Sequence, residues 1–286
     1  MTVNRRDFVS GAAGTIVLAF CERADATGDK LAALEKTARG RLGVTILDTA
    51  TGRRLTYRGA ERFALLSTWK VLATACVLAR VDRGEERLDR KIGYVQADIL
   101  SYAPVTKLHV PDGMTIGDLC AAAVELSDNT AGNLILQSCD GPAGLTKWLR
   151  SIGDGVTRLD RTEPALNEAK PGDPRDTTTP EAMAQTLSKL LTGTVLSPAS
   201  RQQLADWMIA GKTGGARLRA GLPAGWKVGD KTGTNDTGCA NDVAVAWPPQ
   251  RAPLIIASYL ADSRATPQQR DAVHAEVARI AAAWRS

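Results

Sequence analysis

The chain has 286 residues, of which 44% are hydrophobic and 23% charged, as is typical of a globular protein with a large core. Its net charge of +5 comes from basic residues scattered among acidic ones, without the basic stripe that nucleic-acid binding requires. The two histidines have no cysteine or histidine neighbours at metal-ligand spacing, which argues against a zinc site and a Ser-His-Asp triad. The five cysteines are widely spaced, so we expect neither a disulfide framework nor a metal cluster.

The N-terminus has the layout of a secretory signal. Two arginines at positions 5–6 precede an apolar stretch, 11–20, that is too short to span a bilayer, and residues 24–26 offer a small-x-small cleavage site. The arginine pair resembles the twin-arginine type of signal. The alternatives are an ordinary secretory signal and lipidation at Cys21. We predict a cleaved export signal over 1–26, a periplasmic or secreted location, and no stable membrane insertion.

Hydrophobic periodicity divides the rest of the chain into strands near both ends and helices between them. A helix over 28–39 comes first, followed by strands Leu42–Asp48 and Arg54–Arg58. The helices predicted next are 68–83, 116–122, 129–138, 142–152, 180–191 and 198–208. The last segments are strands 226–230, 243–247 and 254–260 and a helix over 267–284.

This order of elements predicts an α+β fold. The economical architecture is an antiparallel sheet built from both ends of the chain, flanked by the terminal helices, with an all-helical lobe inserted. We expect a single domain, 27–286, in which the sheet lobe comprises 27–66 and 209–286 and the helical lobe 67–208. A cleft between two lobes is the default place for a site.

Ser67 and Lys70 lie three residues apart at the start of a predicted helix, so they share a helix face. A serine hydroxyl becomes a nucleophile when a neighbour takes its proton, and a buried lysine can do this or relay the proton to a carboxylate. The backbone N–H of Ser67 can also face a developing oxyanion. Average composition gives roughly one Ser-x-x-Lys in a chain this long, so a capping serine with a surface lysine is the alternative.

Two further motifs are weak evidence for a catalytic site when each is taken alone. Ser127-Asp128-Asn129 precedes an apolar helix, where simple helix capping is the alternative. Lys-Thr-Gly occurs at 212–214, in a glycine-rich turn, and at 231–233, after a strand. Because an edge strand can line a cleft and offer its backbone to a substrate amide, we assign the motif to 231–233.

Residues 161–176 are rich in proline and charge and show no hydrophobic period, which predicts an ordered loop. Arg161 and Asp176 are placed to close the ends of this loop by an ion pair. Glu163 and Asn167 lie inside it. An ordinary surface loop is the alternative.

In the order Ser-x-x-Lys, Ser-Asp-Asn, Glu-x-x-x-Asn, Lys-Thr-Gly, these motifs resemble the class A serine β-lactamases over nearly the whole mature chain. Residues 126–131, 172–180 and 241–245 are also similar, and the Glu163–Asn167 loop resembles the omega loop. The resemblance implies a β-lactamase/D,D-peptidase-like fold and the hydrolysis of β-lactam antibiotics, hence resistance to them. It implies no metal or organic cofactor. We expect a monomer that binds small-molecule β-lactams.

The resemblance also implies a role for each catalytic position. Ser67 is the nucleophile and Lys70 shares in its activation, although whether lysine or glutamate takes the first proton is disputed for the family. Glu163 holds the hydrolytic water with the help of Asn167. Ser127 passes a proton to the departing ring nitrogen.

Lys231 supports Ser127 electrostatically and attracts the substrate carboxylate in such enzymes. The backbone N–H groups of Ser67 and Thr234 form the oxyanion hole. The other implied substrate contacts are Thr232, Thr234 and Arg217 at the carboxylate, with Gly233 beside them, Asn129 at the acylamido side chain, and Tyr102 as an aromatic wall at the cleft mouth.

Several positions depart from the family pattern. Thr74 stands where many members have a cysteine bonded to the position of Cys120. Cys76 lies two residues further on, about 200° round the helix, so we expect Cys76 and Cys120 to be unbonded. Leu66 excludes the cysteine bridge of some carbapenem-hydrolysing members.

Two expectations concern the surroundings of the nucleophile and the loop. Trp69 stands where phenylalanine is usual, which alters the packing behind Ser67. The family resemblance points to a cis peptide bond between Glu163 and Pro164.

Three other functions share parts of this pattern. A penicillin-binding D,D-peptidase shares the Ser-x-x-Lys, Ser-x-Asn and Lys-Thr-Gly motifs but lacks the Glu163 loop. A β-lactam-sensing domain stays acylated and is normally tied to a transmembrane segment. A glutaminase with a Ser/Lys site is more distant. Turnover of a chromogenic cephalosporin separates a β-lactamase from all three.

Overall fold

The computed structural model describes residues 27–285, so the predicted export signal over 1–26 lies outside the described residues. The strands are β1 (Arg41–Asp48), β2 (Arg54–Tyr57), β3 (Phe63–Ala64), β4 (Lys91–Ile92), β5 (Met114–Thr115), β6 (Thr177–Thr178), β7 (Lys227–Thr234), β8 (Ala240–Trp247) and β9 (Leu254–Ala261). The helices are α1 (27–38), α2 (Trp69–Asp82), α3 (Ile116–Glu125), α4 (Asn129–Gln137), α5 (Gly141–Ser151), α6 (Pro180–Leu191), α7 (Pro198–Ile209), α8 (Leu218–Gly221) and α9 (Pro267–Arg285).

The main sheet has the strand order β2-β1-β9-β8-β7, and each neighbouring pair is antiparallel. Its first two strands and last three strands come from opposite ends of the chain, as predicted. β3 with β6, and β4 with β5, form two short separate ribbons. The strand β7 lies at an edge of the main sheet.

Both faces of the sheet are buried, so successive residues of β9 enter different cores. Leu254, Ile256 and Leu260 pack with α1, α8 and α9 on one face. Ile255 and Tyr259 pack with the helices of the middle of the chain on the other face. This alternation follows from the two-residue period of a strand and confirms the α+β arrangement.

The helices that carry site residues begin at side-chain caps where the sequence offers them. The carboxylate of Asp128 accepts from the Ala131 backbone N–H at 2.9 Å and caps α4. The hydroxyl of Thr179 caps α6, and Pro180 takes the first helical position. Helix α2 has no side-chain cap and instead continues a 3₁₀ turn, Leu66–Thr68.

The predicted elements are present, and the largest differences in their ends are at β7, at α3 and at β8, which begins at Ala240 rather than at 243. Ser67 lies in the 3₁₀ turn before α2 rather than in the helix itself. The predicted strand 226–230 extends to Thr234, because Lys-Thr-Gly pairs in register with β8 although it lacks an apolar alternation. Helix α3 runs three residues further than predicted, to Glu125, and α8 was not predicted, since one turn is too short to show a helical period.

The four cysteines of the described part of the chain are buried and free; they are Cys76, Cys120, Cys139 and Cys239. Burial raises the pKa of the Cys120 thiol to about 12. Cys76 lies beside Cys139. The contact with Cys76, followed by burial, raises the pKa of the Cys139 thiol well above its usual value. The prediction that Cys76 and Cys120 are not bonded to each other is confirmed.

Candidate active site

The 3₁₀ turn Leu66–Thr68, called the serine turn below, packs against the edge strand β7. Leu66, directly before Ser67, is fully buried and has a φ of 46°, in the left-handed region that bulky residues rarely adopt. A Cβ added at Gly233 would lie 3.1 Å from the backbone nitrogen of Ser67. Because only glycine allows this approach, the backbone N–H of Ser67 and the strand end at Thr234 are brought together.

Lys70 contacts four of the other predicted site residues. Its Nζ lies 3.1 Å from Ser67 Oγ, 2.6 Å from Asn129 Oδ1 and 3.3 Å from Glu163 Oε1. It also donates to the Ser127 carbonyl oxygen at 2.8 Å. The side chain is completely buried, and this burial lowers the pKa of its ammonium group, while the Glu163 carboxylate opposes the shift.

Ser127 stands between two buried lysines. Its Oγ lies 2.9 Å from Lys231 Nζ and 3.4 Å from Lys70 Nζ, and its φ is 60°. Burial, followed by the positive charge of Lys70, lowers the pKa of Lys231 well below its usual value. A hydroxyl between two such groups can give up a proton and regain one from either side.

Asp128 holds the turn that presents Ser127 and Asn129. Besides capping α4, its carboxylate accepts from the backbone N–H groups of Val105 and Thr106, at 3.0 and 2.9 Å. The capping interpretation of Ser-Asp-Asn is therefore correct for Asp128, while the side chains of Ser127 and Asn129 contact Lys70.

The side chain of Glu163 points inward from its loop and is fully buried. Its backbone N–H and C=O both bond the Asn133 side chain, at 3.0 Å each. Asn167 Nδ2 lies 2.5 Å from Glu163 Oε2, and the Trp69 indole N–H donates to Oε1 at 3.3 Å. The Glu163–Pro164 peptide bond is cis, as expected.

The predicted closure of the loop is present. Arg161 Nε lies 2.6 Å from Asp176 Oδ2, and this carboxylate also accepts from the backbone N–H groups of Asp160 and Arg161. On the other side, Asn235 donates from its side chain to the Asn167 carbonyl oxygen at 3.0 Å. The loop is thus fixed at its base and against the end of β7.

Arg217 braces the end of β7. It donates to Thr234 Oγ1 at 2.7 Å and to the carbonyl oxygens of Gly233 and Asn241, at 3.1 and 2.8 Å. Asp271 on α9 pairs with its Nε at 2.7 Å. The guanidinium group therefore adds positive charge directly beside Thr234, which is exposed.

The structure brings eleven of the twelve predicted site residues into one connected cluster, and Tyr102 joins it only through its backbone. The carbonyl oxygen of Tyr102 accepts from the Asn129 N–H at 2.9 Å, while its side chain is half exposed. The threonine of the Lys-Thr-Gly that we set aside, Thr213, also reaches the cluster. Its hydroxyl lies 2.6 Å from that of Thr232.

The comparisons with known proteins agree with one another. A family model described as the Beta-lactamase enzyme family matches residues 26–284. β-Lactamase L2 of Stenotrophomonas maltophilia is 52% identical over 251 residues, which make up 87% of this chain and 83% of that protein. The class A β-lactamase of the last common ancestor of Gram-negative bacteria is 63% identical with a TM-score of 0.90, covering 91% of this chain and all of that one. The chain belongs to the class A serine β-lactamases.

As a class A serine β-lactamase, the protein hydrolyses β-lactams and confers resistance to these antibiotics. Its fold is the class A β-lactamase fold, as the sequence predicted. None of the relatives above favours a D,D-peptidase, a sensor or a glutaminase. Within residues 27–285, no helix is long and apolar enough to cross a membrane.

Some residues of this β-lactamase site were not found from its sequence. Asn133 and Asn235 fix the Glu163 loop, and Asp271 pairs with Arg217, but none belongs to a motif. Asn133 lies four residues after Asn129, one helical turn away, and this spacing was the available signal. Trp69 was singled out for its packing alone, whereas the structure shows a hydrogen bond to Glu163.

Proposed function

We propose that Ser67 attacks the β-lactam carbonyl and that Lys70 and Glu163 together accept its proton. The observation that carries this proposal is the position of Lys70 Nζ, within 3.1 Å of the serine hydroxyl and 3.3 Å of the glutamate. Burial favours the neutral amine, which can take a proton from Ser67 directly. The contact with Glu163 offers the second route, in which lysine relays the proton to the carboxylate.

Ser127 completes acylation. As the Ser67 oxygen bonds the carbonyl carbon, the ring C–N bond breaks and the nitrogen takes the Ser127 hydroxyl proton. Lys70 and Lys231, at 3.4 and 2.9 Å from Ser127 Oγ, lie within reach to replace that proton. The product is a serine ester with an opened ring. The Ser67 and Thr234 backbone N–H groups bind the oxyanion.

Glu163 removes the ester. Its carboxylate takes a proton from a water, which attacks the carbonyl carbon and releases Ser67. Asn167 supports the same water, since its Nδ2 donates to Glu163 Oε2 while its buried Oδ1 has no hydrogen-bond partner among the described residues. The water can therefore donate a hydrogen bond to Asn167 Oδ1 without displacing a protein contact.

The substrate carboxylate binds at the end of β7. An incoming carboxylate favours the protonated form of the buried Lys231, and the exposed hydroxyl of Thr234 lies against the Arg217 guanidinium. Thr232 and Gly233 contribute from the same strand. Asn129 meets the acylamido side chain, and the exposed ring of Tyr102 forms the wall at the cleft mouth.

We also propose export of the protein. The arginine pair, the apolar stretch and the small-x-small site support a cleaved signal over 1–26, most simply of the twin-arginine type, and a periplasmic or secreted enzyme. The mature domain, 27–286, then comprises a sheet lobe of 27–66 and 209–286 and a helical lobe of 67–208. We expect it to act as a monomer without a cofactor.

The decisive experiment compares Glu163→Gln and Ser67→Ala with the parent enzyme. Glu163→Gln should still react with a penicillin at Ser67 but keep it as an ester, because the water keeps its proton. Intact-protein mass spectrometry should show a mass increase equal to the whole antibiotic, which persists for minutes. Ser67→Ala should show no adduct. Turnover of Glu163→Gln at nearly the parental rate would contradict the role of Glu163.

A further inference from the structure

Trp69 is a fully buried tryptophan next to the catalytic lysine. Its indole N–H is a donor that has to find an acceptor, because an unpaired buried N–H costs free energy. The acceptor is Oε1 of Glu163, at 3.3 Å. Phenylalanine, the usual residue at this position, has no N–H and makes no such bond.

Gly132 on α4 makes room for the indole. A Cβ added at Gly132 would lie 3.2 and 3.3 Å from Cζ2 and Cη2 of Trp69, and 2.9 Å from Cε of Lys70. Both neighbours are held, Lys70 by its four partners and Trp69 by the core. The absence of a side chain at Gly132 therefore leaves space for the large indole ring of Trp69.

We propose that Trp69 is a positioning residue for the deacylation base, which holds Glu163 Oε1 so that Oε2 receives the proton of the water. This inference rests on the proposed role of Glu163. The Trp69 indole donates to Oε1, and the Lys70 ammonium group forms an ion pair with the same oxygen, so both approaches to Oε1 are taken. Among the described residues, Oε2 accepts from Asn167 alone and keeps one lone pair for the water.

The other partners of Glu163 are unchanged when Trp69 alone is substituted. Lys70 remains beside Oε1, Asn167 beside Oε2, and Asn133 on the backbone. A substitution of Trp69 therefore tests the indole N–H by itself.

The test is Trp69→Phe, with Trp207→Phe as the matched control. Trp207 is also buried, on α7, and no hydrogen bond joins it to Glu163. The acylation rate and the deacylation rate of a penicillin are measured separately. Removing the indole donor should lower the deacylation rate of Trp69→Phe about tenfold and its acylation rate less, because Glu163 Oε1 loses one of its two partners. Trp207→Phe should leave both rates at the parental values.

An unchanged deacylation rate in Trp69→Phe, an equal fall in its acylation rate, or the same loss in Trp207→Phe would overturn the inference. A failure of the proposed function is separate, because it would appear as rapid turnover by Glu163→Gln. Should Trp69→Phe not fold, the indole N–H resonances of ¹⁵N-labelled parent and Glu163→Gln give the same answer. Of the six tryptophans, one resonance, that of Trp69, should move upfield when its acceptor loses its charge. Six unmoved resonances would contradict the bond.

Discussion

On the face of the sheet covered by α1, α8 and α9, an aliphatic cluster surrounds Ile256, with Asp242, Ser258 and His274 buried beside it, whereas the end of β7 that meets α2 and α4 buries two lysines and a glutamate. Aliphatic burial stabilises the fold in proportion to area, and neighbours of similar volume can replace one another. Burying charges costs free energy unless each finds partners, so the lysines and the glutamate are held by a closed set of hydrogen bonds. Stability and chemistry are thus concentrated in different regions and can be changed separately.

The sharpest way to test this separation is a cavity on the aliphatic face. Ile256, on the central strand β9, is fully buried between Ile46 and Ala244. Ile256→Ala should lower the free energy of unfolding by about 2–5 kcal/mol, because it removes methyl groups and leaves a void. Urea titration measures this loss, and kcat per folded molecule should stay at the parental value. Ile256→Val, as control, should cost less than half as much. A parallel fall in kcat would show that the two regions are coupled.

His274 is a titratable side chain on the aliphatic face. Its ring nitrogens contact Ser258 Oγ at 2.8 Å and the Ala240 carbonyl oxygen at 3.1 Å, and burial lowers its pKa to about 3 from 6.5. Between these pH values the unfolded chain binds a proton that the native protein does not, so stability falls as the pH falls through this window, by about 1.4 kcal/mol per pH unit. His274→Gln should remove this component from the slope of unfolding free energy against pH. Identical slopes for variant and parent would contradict it.

The smallest expected effect lies at the cleft rim. Arg217→Ala removes positive charge beside the proposed carboxylate site, and the carboxylate is bound in both ground and transition states. KM for a penicillin should therefore rise about tenfold, with a smaller change in kcat. Arg217→Lys keeps the charge and should recover part of the loss. An unchanged KM in Arg217→Ala would place carboxylate recognition on other residues.

The two regions also differ in how far their sequences predict them. Short runs rich in apolar residues predicted β1 and β9, because a strand buried on both faces is apolar at most of its positions. At the site, four motifs predicted which residues meet, but not the path of β7 through Lys231 and Thr232, where polar residues hide the strand. The contact between Trp69 and Glu163 joins positions 94 residues apart, and no local pattern records such a distance. Thr213 was set aside because its motif lies in a glycine-rich turn, and its contact with Thr232, 19 residues away, leaves no local pattern either.

The position of β7 at the edge of the sheet has a further consequence. An open strand edge is a template for pairing with any extended chain and is a common origin of aggregation. Here the serine turn packs against Gly233 so closely that a Cβ there would lie 2.9 Å from that of Leu66. Because this turn covers one face of β7 at Gly233, a chain that pairs with this end of the strand has to enter the cleft beside Ser67, where a compact ring with a single amide fits more easily than a second polypeptide strand. The crowding that builds the cleft thus also disfavours self-association at this end of the strand.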